Sequence, residues 1–155
     1  MTLTVQDSGT SREITRAYVR QGGALRTIRE VKVLDGGTLR TIATFADPLS
    51  VTASGVSGNG TGTSSQTVTT TETTAIVSGG FAPYTYSWTL FTNDGGTPST
   101  AISPSSASTR FQKASVAPDA TWTDIWQVTV TDAVGGTATA AISAQFSNFN
   151  FGGSA

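Results

Sequence analysis

Two carboxylates, Asp119 and Asp124, stand on either side of Trp122. A pair of acids beside an aromatic ring is the equipment of glycoside hydrolysis, where one acid protonates the leaving oxygen and the other attacks or activates water. Both acids, however, fall at the entrance of a strand-forming run, where aspartates serve as turn and capping residues. The chain is therefore read as non-enzymatic. Cysteine and histidine are absent, which removes disulfides, thiolate nucleophiles, Cys/His metal sites and the commonest general base. No catalytic residue, metal site or cofactor is expected. The other pointed pair is Arg26 and Arg40, each three residues past a Gly-Gly step. An arginine fork holds phosphate, an acidic glycan or a carboxylate in two hydrogen bonds. The plainer role is a solvated charge that discourages wrong strand pairing.

The element that positions those arginines is a tandem repeat. Residues 14–27 and 28–42 align at a period of fourteen, matching Val19 with Val33, Gly22-Gly23 with Gly36-Gly37, and Leu25-Arg26-Thr27-Ile28 with Leu39-Arg40-Thr41-Ile42. Each unit reads strand, Gly-Gly turn, strand, because primed hairpin turns need φ > 0. The expected product is a meander of three or four short strands, too poor in apolar residues to stand without a partner surface. Residues 1–47 carry seven basic and five acidic side chains, a net +2, while the remainder nets −3. Glu13, Glu30 and Asp35 interrupt the basic run, so nucleic acid is not an expected partner.

Ser, Thr and Gly are abundant, 12% of the 155 residues are charged, and no apolar run approaches a membrane span. The chain is expected to be all-β: a C-terminal β-sandwich over residues 48–147, preceded by the hairpin repeat of 1–47 and followed by a tail, 148–155. The N-terminus has neither a basic nor an apolar leader region, so no export signal is expected. In the sandwich the organising strand is Tyr84 to Phe91, where Tyr84, Tyr86, Trp88 and Leu90 share one face. Trp126, Val128 and Val130 share a face of a later strand, and Ala138, Ala140, Ile142, Ala144 and Phe146 a face of the last. The predicted core is Trp88, Phe111, Trp126, Val128 and Ile142, with Trp88 and Trp126 on facing sheets. The Gly/Ser/Thr tract from Gly55 to Ser65 is expected to be a loop. Phe149 and Phe151 of the tail have no evident place in the domain; with Tyr18, Arg26 and Arg40 they are the candidate subunit contacts.

Gly79-Gly80-Phe81-Ala82-Pro83-Tyr84-Thr85-Tyr86-Ser87-Trp88 resembles the strand signature of PKD-like and bacterial immunoglobulin-like domains. Trp126-Gln127-Val128-Thr129-Val130-Thr131-Asp132-Ala133-Val134-Gly135-Gly136 resembles the hairpin that closes them. The resemblance covers residues 48–147 and implies a sandwich of about seven strands, without implying a ligand. The Gly-Gly-x-Leu-Arg repeat resembles short repeats of minor structural proteins of tailed bacteriophages. That likeness implies a non-enzymatic virion component, of the tail or tail tip, assembled in the host cytoplasm with other virion subunits and as a homo-oligomer. The sandwich would be exposed and could touch a host surface glycan. The alternatives are a carbohydrate- or surface-binding accessory domain of a bacterial protein, and a capsid decoration protein.

Overall fold

The computed structural model describes residues 4–7, 10–13, 17–21, 24–28, 30–35 and 37–150. The chain divides into two compact units, Met1–Asp47 and Pro48–Ala155.

The first unit contains three antiparallel hairpins. Strands β1 (Thr4–Asp7) and β2 (Thr10–Glu13) form one, β3 (Ala17–Gln21) and β4 (Ala24–Ile28) the second, β5 (Glu30–Asp35) and β6 (Thr38–Thr44) the third. Their registers are equivalent. Val5 pairs with Arg12, Val19 with Arg26 and Val33 with Arg40, so the period of fourteen runs through a third unit that the sequence reading did not include. The expected continuous meander is not what forms: among the described residues no ladder joins one hairpin to the next. A Gly-bearing tip, such as Gly37 at φ +82°, reverses the chain in two residues, whereas the junction Ile28-Arg29-Glu30 has no glycine to do so.

The second unit is a β-sandwich. Strands β7 (Ser50–Thr52), β8 (Val56–Thr61), β9 (Gln66–Thr69), β10 (Thr73–Thr74) and β11 (Ile76–Ser78) come first. They are followed by β12 (Thr85–Thr92), β13 (Thr100–Ala101), β14 (Ser108–Thr109), β15 (Phe111–Val116), β16 (Thr121–Thr131) and β17 (Thr137–Phe149). One sheet has the order β12-β16-β17-β8, the facing one β13-β15-β9, and the short pairs β7–β11 and β10–β14 complete the layers. Taking β9–β11 as one interrupted strand, this is the immunoglobulin arrangement of the third, sixth and seventh strands against the fourth, fifth and second. The expected all-β sandwich is the fold observed.

Trp88, Phe111, Trp126, Val128 and Ile142 all lie in one buried cluster. Trp88 and Trp126 do not sit on facing sheets, as expected, but on adjacent strands of the same sheet, with Trp88 opposite Val128 and Leu90 opposite Trp126. Phe111 from the other sheet meets both rings, edge-on to Trp88 at 5.7 Å and stacked on Trp126 at 4.6 Å. Both strands are antiparallel neighbours, so two residues pointing inward from them point the same way. The indole N–H groups are satisfied, Trp88 Nε1 by the Ser106 carbonyl and Trp126 Nε1 by Ser99 Oγ, each at 3.0 Å.

Two further expectations change. The Gly55–Ser65 tract is not simply a loop: residues 56–61 form β8, parallel to β17 in register Ala144↔Val56 through Phe149↔Thr61. Glycine makes this possible, since a Cβ on Gly58 would lie 2.3 Å from the Thr69 carbonyl oxygen. The last strand also runs on to Phe149, into residues expected to belong to the tail. Asn148 is fully buried; its Nδ2 donates to the carbonyls of Ser64 (3.1 Å) and Val116 (3.0 Å), and its Oδ1 accepts from Gln66 Nε2.

Candidate functional site

The inward face of β15 reads Phe111, Lys113, Val116, and that of β16 reads Asp124, Trp126, Val128, Val130. A strand that buries an apolar face therefore also buries a lysine, and the strand opposite buries an aspartate. Lys113 is 1% exposed and Asp124 fully buried. Lys113 Nζ lies 3.1 Å from both carboxylate oxygens. Burying either charge alone would be prohibitive, so each is the condition for the other.

The pair is built into a network. Asp124 Oδ2 also accepts from the Ser99 hydroxyl (2.6 Å) and the Ser99 amide (3.2 Å), and Oδ1 accepts from the Asp94 amide (3.2 Å). The Ser99 hydroxyl in turn accepts from Trp126. Burial by itself would raise the Asp124 carboxyl; the Ser99 hydroxyl, the Lys113 ammonium and the two amides outweigh it and hold the group below the ordinary aspartate range. Nζ also donates to Asn93 Oδ1 at 2.9 Å. It stands 5.9 Å from the centroids of both Trp122 and Phe146. Trp122 closes the site, and Gly95 lies against it so tightly that a Cβ there would fall 2.5 Å from the ring.

This arrangement decides the fate of the two candidate acids. Asp124 is consumed by Lys113 and Ser99 inside the sandwich. Asp119 is an exposed turn residue at φ +58°, its Oδ1 accepting from the Asn150 amide at 3.0 Å. They do not form a carboxylate pair open to a substrate. Lys113, Ser99 and Asn93 were missed in the sequence. The available signal was Lys113 two residues beyond the inward Phe111, with Asp124 two residues before the inward Trp126.

Tyr18 lies on β3, Arg26 on β4 and Arg40 on β6, and their side chains, like all of Phe151, lie outside the described residues. Phe149 ends β17 and is 43% exposed. A separate open cleft of about 470 Å³ is lined by Ser57, Asn59, Thr69, Thr71, Glu72 and Arg110 among others, none of them aromatic. Among the described residues no cluster of three metal-ligating side chains occurs, and no helix is long and apolar enough to cross a membrane.

At the other end of the sandwich Asp132 performs the structural task of its motif. Its Oδ1 accepts from the amides of Val134 (3.0 Å) and Gly136 (2.7 Å), and its Oδ2 from that of Phe81 (3.1 Å). Tyr84 Oη donates to the Gly79 carbonyl at 2.7 Å. The two segments that carry the family resemblance are thus tied to each other.

No protein-family model matches the chain, and no curated protein matches it. Among solved structures it is similar to the PKD domain of human KIAA0319 (17% identity, 68% of this chain and 88% of that one, TM-score 0.45). It is similar also to a conjugative transposon lipoprotein from Bacteroides eggerthii (16% identity, 62% and 95%, TM-score 0.35) and to the titin M3 domain (17% identity, 63% and 96%, TM-score 0.33).

Proposed function

We propose that this chain is a non-enzymatic structural component of a tailed-phage virion, in the tail or tail tip, whose repeat unit docks on neighbouring subunits while the sandwich stands exposed. The observation that supports this reading most is the set of three register-equivalent hairpins in residues 1–47. An isolated two-stranded hairpin is at best marginally stable in water, so a unit made of three gains most from a partner surface. The sandwich, by contrast, has its own core, and among the described residues no buried side-chain nitrogen or oxygen lacks a hydrogen bond. Its buried Lys113 and Asp124 neutralise each other, buried Asp132 is taken up by backbone amides, and Asp119 is an exposed turn residue, an arrangement that supports a structural role.

The polar cleft beside Arg110 favours a weak contact with a surface glycan, because it offers hydroxyls, one carboxylate and one guanidinium without a ring for a sugar face. Gold labelling of intact particles through an antibody to this chain tests the main reading. Label at the tail is the expected result. Label on the head would move the assignment to capsid decoration, and particles free of the chain would overturn the virion role.

A further inference from the structure

The Lys113–Asp124 pair has a third member that an ordinary buried ion pair lacks. The Asn93 side chain is an acyl group carrying a nitrogen that can leave, and its Oδ1 is held 2.9 Å from Nζ. The amide is oriented, since Nδ2 donates to the Gly96 carbonyl at 3.2 Å and so turns the carbonyl towards the lysine. The loop that carries it is pinned over the lysine at two points. The Asp94 amide donates to Asp124 Oδ1 at 3.2 Å, and Asp94 Oδ2 accepts from the Thr123 amide at 3.2 Å. Nζ is shielded by Trp122 and Phe146. Asn93 itself lies at the exposed mouth of the site, which leaves a path outward for a small product.

We propose that Lys113 and Asn93 join spontaneously in an intramolecular amide cross-link, with Asp124 as the proton carrier. Lys113 Nζ passes a proton to Asp124, and the freed lone pair attacks Asn93 Cγ. The new C–N bond forms and the Cγ–Nδ2 bond breaks. Of the three protons on the lysine ammonium, one stays on the new amide and two reach Nδ2, which departs as ammonium. Asp124 ends ionised, as it began, and nothing is oxidised or reduced. The resting site is the ion pair, so the neutral amine is a minority species. That suffices for a reaction that occurs once per chain and whose ammonium is lost to solvent. The product ties β15 of one sheet to the end of β12 in the other, a covalent link across the sandwich in a chain without cysteine.

The test is the intact mass of the purified, folded full-length chain, followed by trypsin digestion after denaturation. The expected mass is that of the sequence less one ammonia. Trypsin should not cut after Lys113, and the fragment carrying Asn93 should remain joined to the one carrying Lys113. Asn93→Ala, an exposed position, should fold and show its full sequence mass with normal cleavage, as should Lys113→Met. A parent chain with no mass loss and normal cleavage after Lys113 overturns the proposal. So does an ammonia loss that survives Lys113→Met, which would place the reaction in the Asn93-Asp94 backbone instead.

Discussion

The ring of Phe111 lies on that of Trp126 with centroids 4.6 Å apart and planes 28° from parallel, joining the two sheets of the sandwich at the centre of the core. The same ring meets Trp88 edge-on, so one phenylalanine fills the space between two tryptophans that a single sheet presents side by side. Offset stacking and edge contact are the favoured aromatic geometries and add to the area buried.

Removing that ring should leave a cavity walled by two indoles that cannot collapse into it. Phe111→Ala is expected to cost about 3–5 kcal/mol, and Phe111→Leu clearly less. The urea midpoint of the full chain measures it. A midpoint for Phe111→Ala within error of the parent would remove Phe111 from its central place.

The buried ion pair should behave as a unit. Taking away one charge strands the other, so Lys113→Met or Asp124→Leu alone is expected to cost about 3–5 kcal/mol, while the double substitution should recover much of the loss. The cycle is best run in an Asn93→Ala background, where no cross-link can form and the electrostatic coupling is read alone. Additive losses would mean that the two charges do not depend on each other.

Acid sensitivity follows from two aspartates. In Asp124 and Asp132 burial alone would raise the carboxyl. In Asp124 the Ser99 hydroxyl, Lys113 and two amides prevail; in Asp132 the amides of Phe81, Gly136, Val134 and Gly135 do, and both groups sit low. Their folded values lie beneath the unfolded one of about 3.9, so between the two the unfolded chain binds more protons and stability rises with pH. The stabilisation is complete above the unfolded value and is lost as pH falls through the folded ones. With no histidine in the chain, the urea midpoint should be nearly flat from neutrality to about pH 5 and should drop below about pH 4. Asp132→Asn should make that drop shallower. An equally steep acid limb in the variant would show that Asp132 does not contribute to it.

How far the sequence revealed this molecule depends on the range of the interaction involved. Period-two alternation placed Trp88, Trp126, Val128 and Ile142 inside, because burial on one strand face is a local signal. Which sheet each strand joins is not local, and Trp88 and Trp126 were accordingly set on opposite sheets. The charged site was obscured for the same reason: Lys113 and Asp124 make sense as inward residues only once β15 and β16 are known to face each other. Asn148 was lost to a tail because its partners, Ser64, Gln66 and Val116, are remote in sequence. The third hairpin was overlooked because Thr4–Glu13 keeps the Val and Arg of the repeat but has Ser8-Gly9 in place of its Gly-Gly.

The misread Gly/Ser/Thr tract gives a direct test of β8. A Cβ at Gly58 would press on the Thr69 carbonyl, which is backbone and cannot swing aside. Gly58→Ala is expected to cost about 1–3 kcal/mol and to release the edge of the four-stranded sheet. Hydrogen exchange should then quicken across residues 56–61 while β12 and β16 stay protected. Unchanged exchange there would mean that the strand tolerates the extra carbon and that glycine is not needed for the crossing.

The three hairpins carry the last expectation, which rests on the proposed docking role. Arg12, Arg26 and Arg40 each pair with a valine at the same register position of a hairpin, so the same residue type recurs three times at a sequence spacing of fourteen. Left exposed, an arginine's ion pair contributes under about 1 kcal/mol; desolvated against a carboxylate at a subunit boundary, its loss costs roughly 2–5 kcal/mol. Replacing all three by Ala should leave the melting of the sandwich unchanged, since that core lies in residues beyond Asp47. Incorporation of the chain into particles should fall, and each single substitution should lower it by a similar, smaller amount because the positions are equivalent. Normal incorporation of the triple variant would reduce these arginines to solvated charges guarding strand edges. A loss confined to one position would show instead that the repeat is equivalent in its fold but not in its contacts.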